Sequence, residues 1–251
     1  MQTARDWDGR SYDRVSGPME RMGLAVLARL DLRGDEIVVD AGCGSGRITQ
    51  ALIERLPRGR AIGIDGSPSM IAAARDRLGP GADLRVQDLL ALDLGGERAD
   101  AIFSTATFHW IADHDALFAR LRGALRDGGA LVAQCGGAGN IANVHAAAGE
   151  AIAIEPFAQH FAGWRGPWNF ATPEDTERRL RAAGFSAARA WLEPWPVTPE
   201  EPREYLRTVN LGAHLERLPE DLRASFVAAV LERLGEPVTI EYVRLNIDAI
   251  A

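Results

Sequence analysis

Residues 36–56, EIVVDAGCGSGRITQALIERL, place three glycines within five positions, between a β-branched run and a stretch of helical periodicity. Ile37-Val38-Val39 is short and apolar, as a buried strand ending at Asp40 would be. Beyond the glycines, Ile48, Leu52, Ile53 and Leu56 recur at helical spacing. Strand, glycine turn and helix in this order build an α/β unit whose ligand lies on bare backbone near a helix N-terminus. The dinucleotide fingerprint requires a glycine three residues after Gly44, where this chain has Arg47. The order is instead Asp40-x-Gly42-x-Gly44-x-Gly46, with a carboxylate where a phosphate would be repelled. An acid at that place suits a cationic ligand.

Strand and helix patterns alternate through the first half, the mark of a parallel sheet. Strands are predicted at 37–41, 61–65, 82–86, 100–104 and 130–135, with helices at 45–56, 68–78 and 114–125. Two later strands, 187–193 and 238–247, bring the expectation to a doubly wound, seven-stranded, mostly parallel α/β sheet. Segments 137–172 and 195–235 are longer than a crossover needs and read as helical cover over a site, and long connections are usually functional. Residues 1–30 read as an N-terminal lid or helix, so that residues 1–251 form a single domain.

A chain of 251 residues with 47% hydrophobic content can bury one large core. Its net charge of −7 argues against nucleic acid as a partner. Every basic residue is arginine, which excludes lysine chemistry. Cys43 and Cys135, both beside strands, fit a reducing cytoplasm better than a disulfide scaffold. No apolar run approaches the roughly 18 residues of a membrane span, and the N-terminus is polar, so no signal peptide is visible. The expectation is a cytoplasmic protein, monomer or homodimer. In Asp113-His114-Asp115 the acids suit a helix start, and no metal is assigned.

The stretches VVDAGCGSG, GIDGSPSM, VQDLL, FSTATFHWIADH and LRDGGALVAQ together resemble the class I S-adenosylmethionine-dependent methyltransferases. HWIADH, YLRTVNLGAHLERLP and VRLNIDA resemble, more narrowly, the trans-aconitate methyltransferase group, whose relatives include malonyl-carrier-protein carboxyl methyltransferases. The likeness departs at Pro18-Met19, where many relatives carry glutamine. It implies S-adenosylmethionine as cofactor, S-adenosylhomocysteine as product and a small-molecule acceptor. It also implies a cofactor site of Asp40, Gly42, Gly44, Gly46, Asp65, Gly66, Met70, Gln87, Asp88, Leu89 and Ser104. Within it, Asp65 would accept the ribose hydroxyls and Asp88 the adenine amino group. Met70 would pack on the adenine face, with Gln87 and Leu89 flanking the ring.

The acceptor should lie beyond the strand ends, near Ser104–Trp110. There His109 is the candidate catalytic residue, as a base for a hydroxyl or as an orienting group, with a structural role as the alternative. Trp110, Arg165, Trp168 and Tyr205 are candidate acceptor contacts, and by resemblance Tyr12 is a lid residue. An acidic acceptor would call for an arginine fork, hence Arg165. The leading expectation is methyl transfer to a carboxylate oxygen of an organic acid such as trans-aconitate. A secondary-metabolite tailoring O-, N- or C-methyltransferase, a malonyl-carrier-protein carboxyl methyltransferase, a Rossmann dehydrogenase and a non-enzymatic cofactor sensor are the alternatives.

Overall fold

The computed structural model describes residues 17–251; Tyr12 lies outside them. The chain forms one seven-stranded sheet: β1 Ile37–Ala41, β2 Arg60–Asp65, β3 Asp83–Val86, β4 Ala99–Thr105, β5 Leu125–Gly136, β6 Ala187–Val197 and β7 Ile240–Ile250. Their spatial order is β3-β2-β1-β4-β5-β7-β6. The first five strands run parallel, and β7 is wedged antiparallel between β5 and β6. The order reverses between β1 and β4, which opens a crevice beyond their C-terminal ends.

The helices are α1 Gly17–Leu27, α2 Arg47–Glu54, α3 Pro68–Leu78, α4 His114–Ala124, α5 Ala142–Ile152, α6 Pro173–Ala182, the short α7 Pro202–Tyr205 and α8 Gly212–Leu215, and α9 Glu220–Leu234. Period-two alternation sends neighbouring strand residues into different cores. Val39, Ile102 and Leu131 pack under α4 and α6, whereas Val38, Phe103 and Val132 pack under α1 and α2. Helix α3 starts at Pro68, with Ser67 Oγ accepting the Met70 N–H, as Ser-Pro at a helix start predicts.

Several boundaries differ from the sequence expectation, β7 among them, which runs 240–250 where 238–247 is expected. Helix α2 begins at Arg47 because Gly46 is left-handed, with φ 79°. Strand β5 starts five residues early, at Leu125, which pairs with Ala99 across a bulge in the β4 register. Residues 195–197 continue β6 and do not begin the cover. The rest of the 195–235 segment packs with 137–172 in one apolar cluster that includes Val144, Phe161, Leu206 and Phe226. Residues 17–30 belong to the sheet face through Val26, Leu27 and Leu30, and only the start of α1, at Met19, reaches the site.

Asp40 ties β1 to α2: it is buried, and Thr49 Oγ1 donates to its Oδ2 at 2.7 Å. Burial pushes its carboxyl up to about 7; the Thr49 bond opposes the rise and the Asp65 charge adds to it. The folded state therefore holds the Asp40 proton more tightly than the unfolded chain. That stabilisation is fully present below the ordinary carboxylate pKa and is lost as pH rises through about 7. Asp40→Asn should remove this slope, so its unfolding free energy should gain on the wild type by about 2–4 kcal/mol between about pH 4 and 8. Urea melts at the two pH values measure it, and an unchanged difference would discard the buried proton.

Candidate functional site

A cavity of about 850 Å³ opens at the crevice between β1 and β4. Gly42, Gly44, Asp65, Gly66, Met70, Asp88 and Leu89 line one part of it. His109, Trp110, Asn140, Trp168, Phe170, Tyr242 and Arg244 line another.

The glycine loop is held from below. Gly42 and Cys43 donate their N–H groups to Ile64 O at 2.7 and 3.0 Å, so the loop continues the β1–β2 pairing. Asp65 Oδ2 accepts the Gly44 N–H at 2.9 Å and Oδ1 accepts the Ser67 N–H at 2.8 Å. One carboxylate thus fixes both the glycine loop and the entry to α3. A side chain on Gly42 would collide with Thr107, and one on Gly46 would press on Ala74 and Leu78 of α3. A Cβ on Gly44 would meet nothing within 4 Å, and Gly44 has φ 53°. Among the three, Gly44 presents bare backbone to open space.

Several sequence-based site residues lie elsewhere. Asp40 is the buried tie already described, and Gly46 packs on α3. Ser104 is buried, its Oγ donating to Ala41 O at 2.6 Å. Gln87 closes the loop after β3, exchanging long hydrogen bonds with the backbone of Asp93. None of these four lines the cavity. Asp88 does, and it also caps the following turn by accepting the Leu90 N–H at 2.9 Å.

Arg165 is exposed and outside the cavity wall, because its loop turns it to solvent while Trp168 turns inward. Tyr205 is buried behind the wall; its hydroxyl lies 3.0 Å from that of Tyr242, which the Asn210 amide also reaches at 3.0 Å. Trp110 and Trp168 line the cavity with ring centroids 6.0 Å apart.

His109 is 8% exposed and sits in the turn after β4, its ring 5.8 Å from that of Phe170. Its Nδ1 accepts the Gly136 N–H at 3.3 Å. Burial, then the Arg244 charge, then His114 hold its pKa well below the usual imidazole value. A neutral ring that accepts at Nδ1 carries its proton on Nε2. His109 therefore offers the cavity a donor.

Sequence reasoning missed Arg244, Tyr242, Asn140 and Asn210. The signal for the first two was present in IEYVRLNIDA, where polar residues alternate with apolar ones along a predicted strand. Ala106 and Ile141, at φ 55° and 49°, are the two non-glycine left-handed residues among those described, and both line the cavity. Backbone strain of this kind collects at ligand sites.

Comparison with known proteins agrees with this geometry. A family model described as a methyltransferase domain matches residues 38–129. The trans-aconitate 2-methyltransferase of Variovorax paradoxus is 31% identical over 258 aligned residues, covering 96% of this chain and 94% of that protein. Phosphoethanolamine N-methyltransferase 2 of Haemonchus contortus, solved with S-adenosyl-L-methionine, superposes with a TM-score of 0.62 at 20% identity, over 96% of this chain and 56% of that one. The [4+2]-cyclase SpnF superposes with a TM-score of 0.59 at 18% identity, over 100% of this chain and 88% of that one, so the fold by itself does not choose the reaction. Among the described residues no helix is long and apolar enough to cross a membrane. The near full-length sequence match decides the family: the chain belongs to the class I S-adenosylmethionine-dependent methyltransferases, related to the trans-aconitate methyltransferase family, and methylates a small-molecule acceptor.

Proposed function

We propose that this enzyme methylates a carboxylate oxygen of a small organic acid. The observation that carries the reading is the state of His109. The side chain best placed to deprotonate an acceptor is neutral and has its proton on Nε2, with Nδ1 taken by Gly136. To act as a base it would have to carry the proton on Nδ1, which would set two N–H groups against each other. The acids of the cavity wall are engaged elsewhere: Asp65 holds backbone N–H groups, Asp88 caps a turn and Asp113 caps helix α4. Glu216 is exposed at the rim. A site without a base suits a nucleophile that is already ionised, and carboxylic acids are ionised above about pH 5. Relatives such as the trans-aconitate 2-methyltransferase of Variovorax paradoxus support the same reading.

When bound, the cofactor supplies an electrophilic methyl group on a sulfonium. Asp65 would accept its ribose hydroxyls, Asp88 would meet the adenine edge, and Met70 and Leu89 would flank the ring. The open face of Gly44 lets the ligand approach the loop backbone. On the acceptor side His109 Nε2–H orients the carboxylate. Trp110, Trp168 and Phe170 exclude water, which leaves the oxygen less solvated and more reactive.

Incubation with labelled S-adenosylmethionine and a pool of organic acids should give a base-labile methyl ester. The rate should stay flat from neutral to alkaline pH, and His109→Gln should raise acceptor KM with kcat nearly unchanged. A base-stable product would overturn the reading, as would a kcat loss of about 10²–10⁴ in His109→Gln with disappearance of a histidine limb.

A further inference from the structure

The turn that follows β5 is strapped to β7. Gly137 N–H donates to Val243 O at 3.0 Å, Ile141 N–H donates to Glu241 O at 2.9 Å, and Val243 N–H donates to Asn140 Oδ1 at 3.1 Å. The last bond fixes the Asn140 amide, because a backbone N–H can meet only its oxygen and Nδ2 then lies on the other side. Asn140 is 4% exposed and lines the cavity. Among the described residues its Nδ2 has no hydrogen-bond partner, yet this nitrogen is not cut off from water as Asn210 Oδ1 is. Asn140 and His109 meet at Gly136. Gly136 N–H donates to His109 Nδ1 at 3.3 Å, and a Cβ on Gly136 would fall 2.7 Å from both Asn140 Nδ2 and the Phe170 ring. The bare backbone at Gly136 lets the amide close in at the end of the cavity where His109 stands.

We propose that Asn140 Nδ2 holds the reacting carboxylate by the oxygen that does not take the methyl group, and so selects acceptors that present a carboxylate. The assignment rests on the carboxylate reading above and follows from what each oxygen becomes. One oxygen forms the new bond to the methyl carbon as the bond to sulfur breaks, and that bond's electron pair stays on sulfur. The carboxylate and sulfonium charges vanish together, giving a neutral ester and a neutral thioether. A donor on the attacking oxygen would tie up the lone pairs that form the bond, holding the reactant more tightly than the transition state. The other oxygen becomes the ester carbonyl and accepts a hydrogen bond before, during and after transfer. A donor there keeps its partner throughout and contributes orientation. An amide N–H is neutral, so it loses little as the charge disappears. A hydroxyl or amine acceptor has no second oxygen for it to hold.

The methyl ester product should inhibit the wild-type enzyme in competition with the acid, with an inhibition constant within about tenfold of the acid KM. Asn140→Leu should raise the acid KM by about 10–100-fold and weaken ester inhibition by about 3–10-fold, with kcat and the S-adenosylmethionine Kd nearly unchanged. Asn140→Asp keeps an oxygen for the Val243 N–H while removing the donor. It should melt as the wild type does and raise the acid KM at least as much as Asn140→Leu. An ester that does not inhibit the wild type would overturn the assignment even if every variant misfolds. So would either variant staying folded with the wild-type acid KM, or Asn140→Leu weakening the acid while sparing the ester. If no acid accepts a methyl group, the carboxylate reading itself fails.

Discussion

Asp65→Ala should weaken S-adenosylmethionine binding by about 10²–10⁴-fold and also lower the melting temperature of the cofactor-free protein. The first effect comes from two hydrogen bonds to a charged acceptor, each worth about 1.5–3 kcal/mol, that the ribose hydroxyls would lose. The second comes from the fold. Sequence alone places Asp65 at a strand end, where removal looks harmless. In the structure each of its oxygens accepts a backbone N–H, from Gly44 at 2.9 Å and from Ser67 at 2.8 Å. Alanine leaves both donors without that partner and frees the loop that must meet the cofactor. Asp65→Asn should rescue little, since one end of an amide would point its own N–H groups at a backbone donor. Calorimetric titration and thermal melts separate the two losses. A variant that binds normally and melts normally would remove Asp65 from the site and from the loop.

What the sequence made legible is what local rules govern. The β-branched run before Asp40 and the Ser67-Pro68 start gave β1 and α3 with their observed ends. The alternation of strands and helices gave the parallel half of the sheet. Arg244 shows where such rules stop. Its burial depends on β7 pairing with β5, segments more than a hundred residues apart. Without that pairing, an arginine in a late strand reads as a surface residue, and the need for a cation was assigned to Arg165 beside two tryptophans. The aromatic part of that cluster does reach the wall, through Trp168, while Arg165 faces solvent. Ser104 and Gln87 lie off the cavity wall for a related reason. Position at a strand end locates the backbone near a ligand but does not tell which way the side chain turns. Ser104 turns down to Ala41 O, and Gln87 turns back to Asp93.

Gly44→Val should reduce S-adenosylmethionine affinity by about 10³-fold or more while costing the fold only about 1–2 kcal/mol, the strain of a left-handed non-glycine residue. The three glycines look equivalent in sequence, and the structure separates them. Gly42 is pressed against Thr107, so Gly42→Ala should act first on stability. Gly46 lets α3 approach closely, and an alanine there would push on Ala74 and Leu78. Gly44, at φ 53°, has no neighbour within 4 Å along its Cβ direction, so a valine finds space in the empty loop and fills what the ligand needs. Gly44→Ala should fall between the two, with the same backbone strain and a smaller obstruction. The decisive measurement is the pair of melting temperature and calorimetric Kd for Gly42→Ala, Gly44→Ala and Gly44→Val. If Gly44→Val binds as the wild type does, the ligand does not approach this backbone. If it unfolds as readily as Gly42→Ala, the loop tolerates no side chain anywhere and the distinction drawn from the open space at Gly44 is lost.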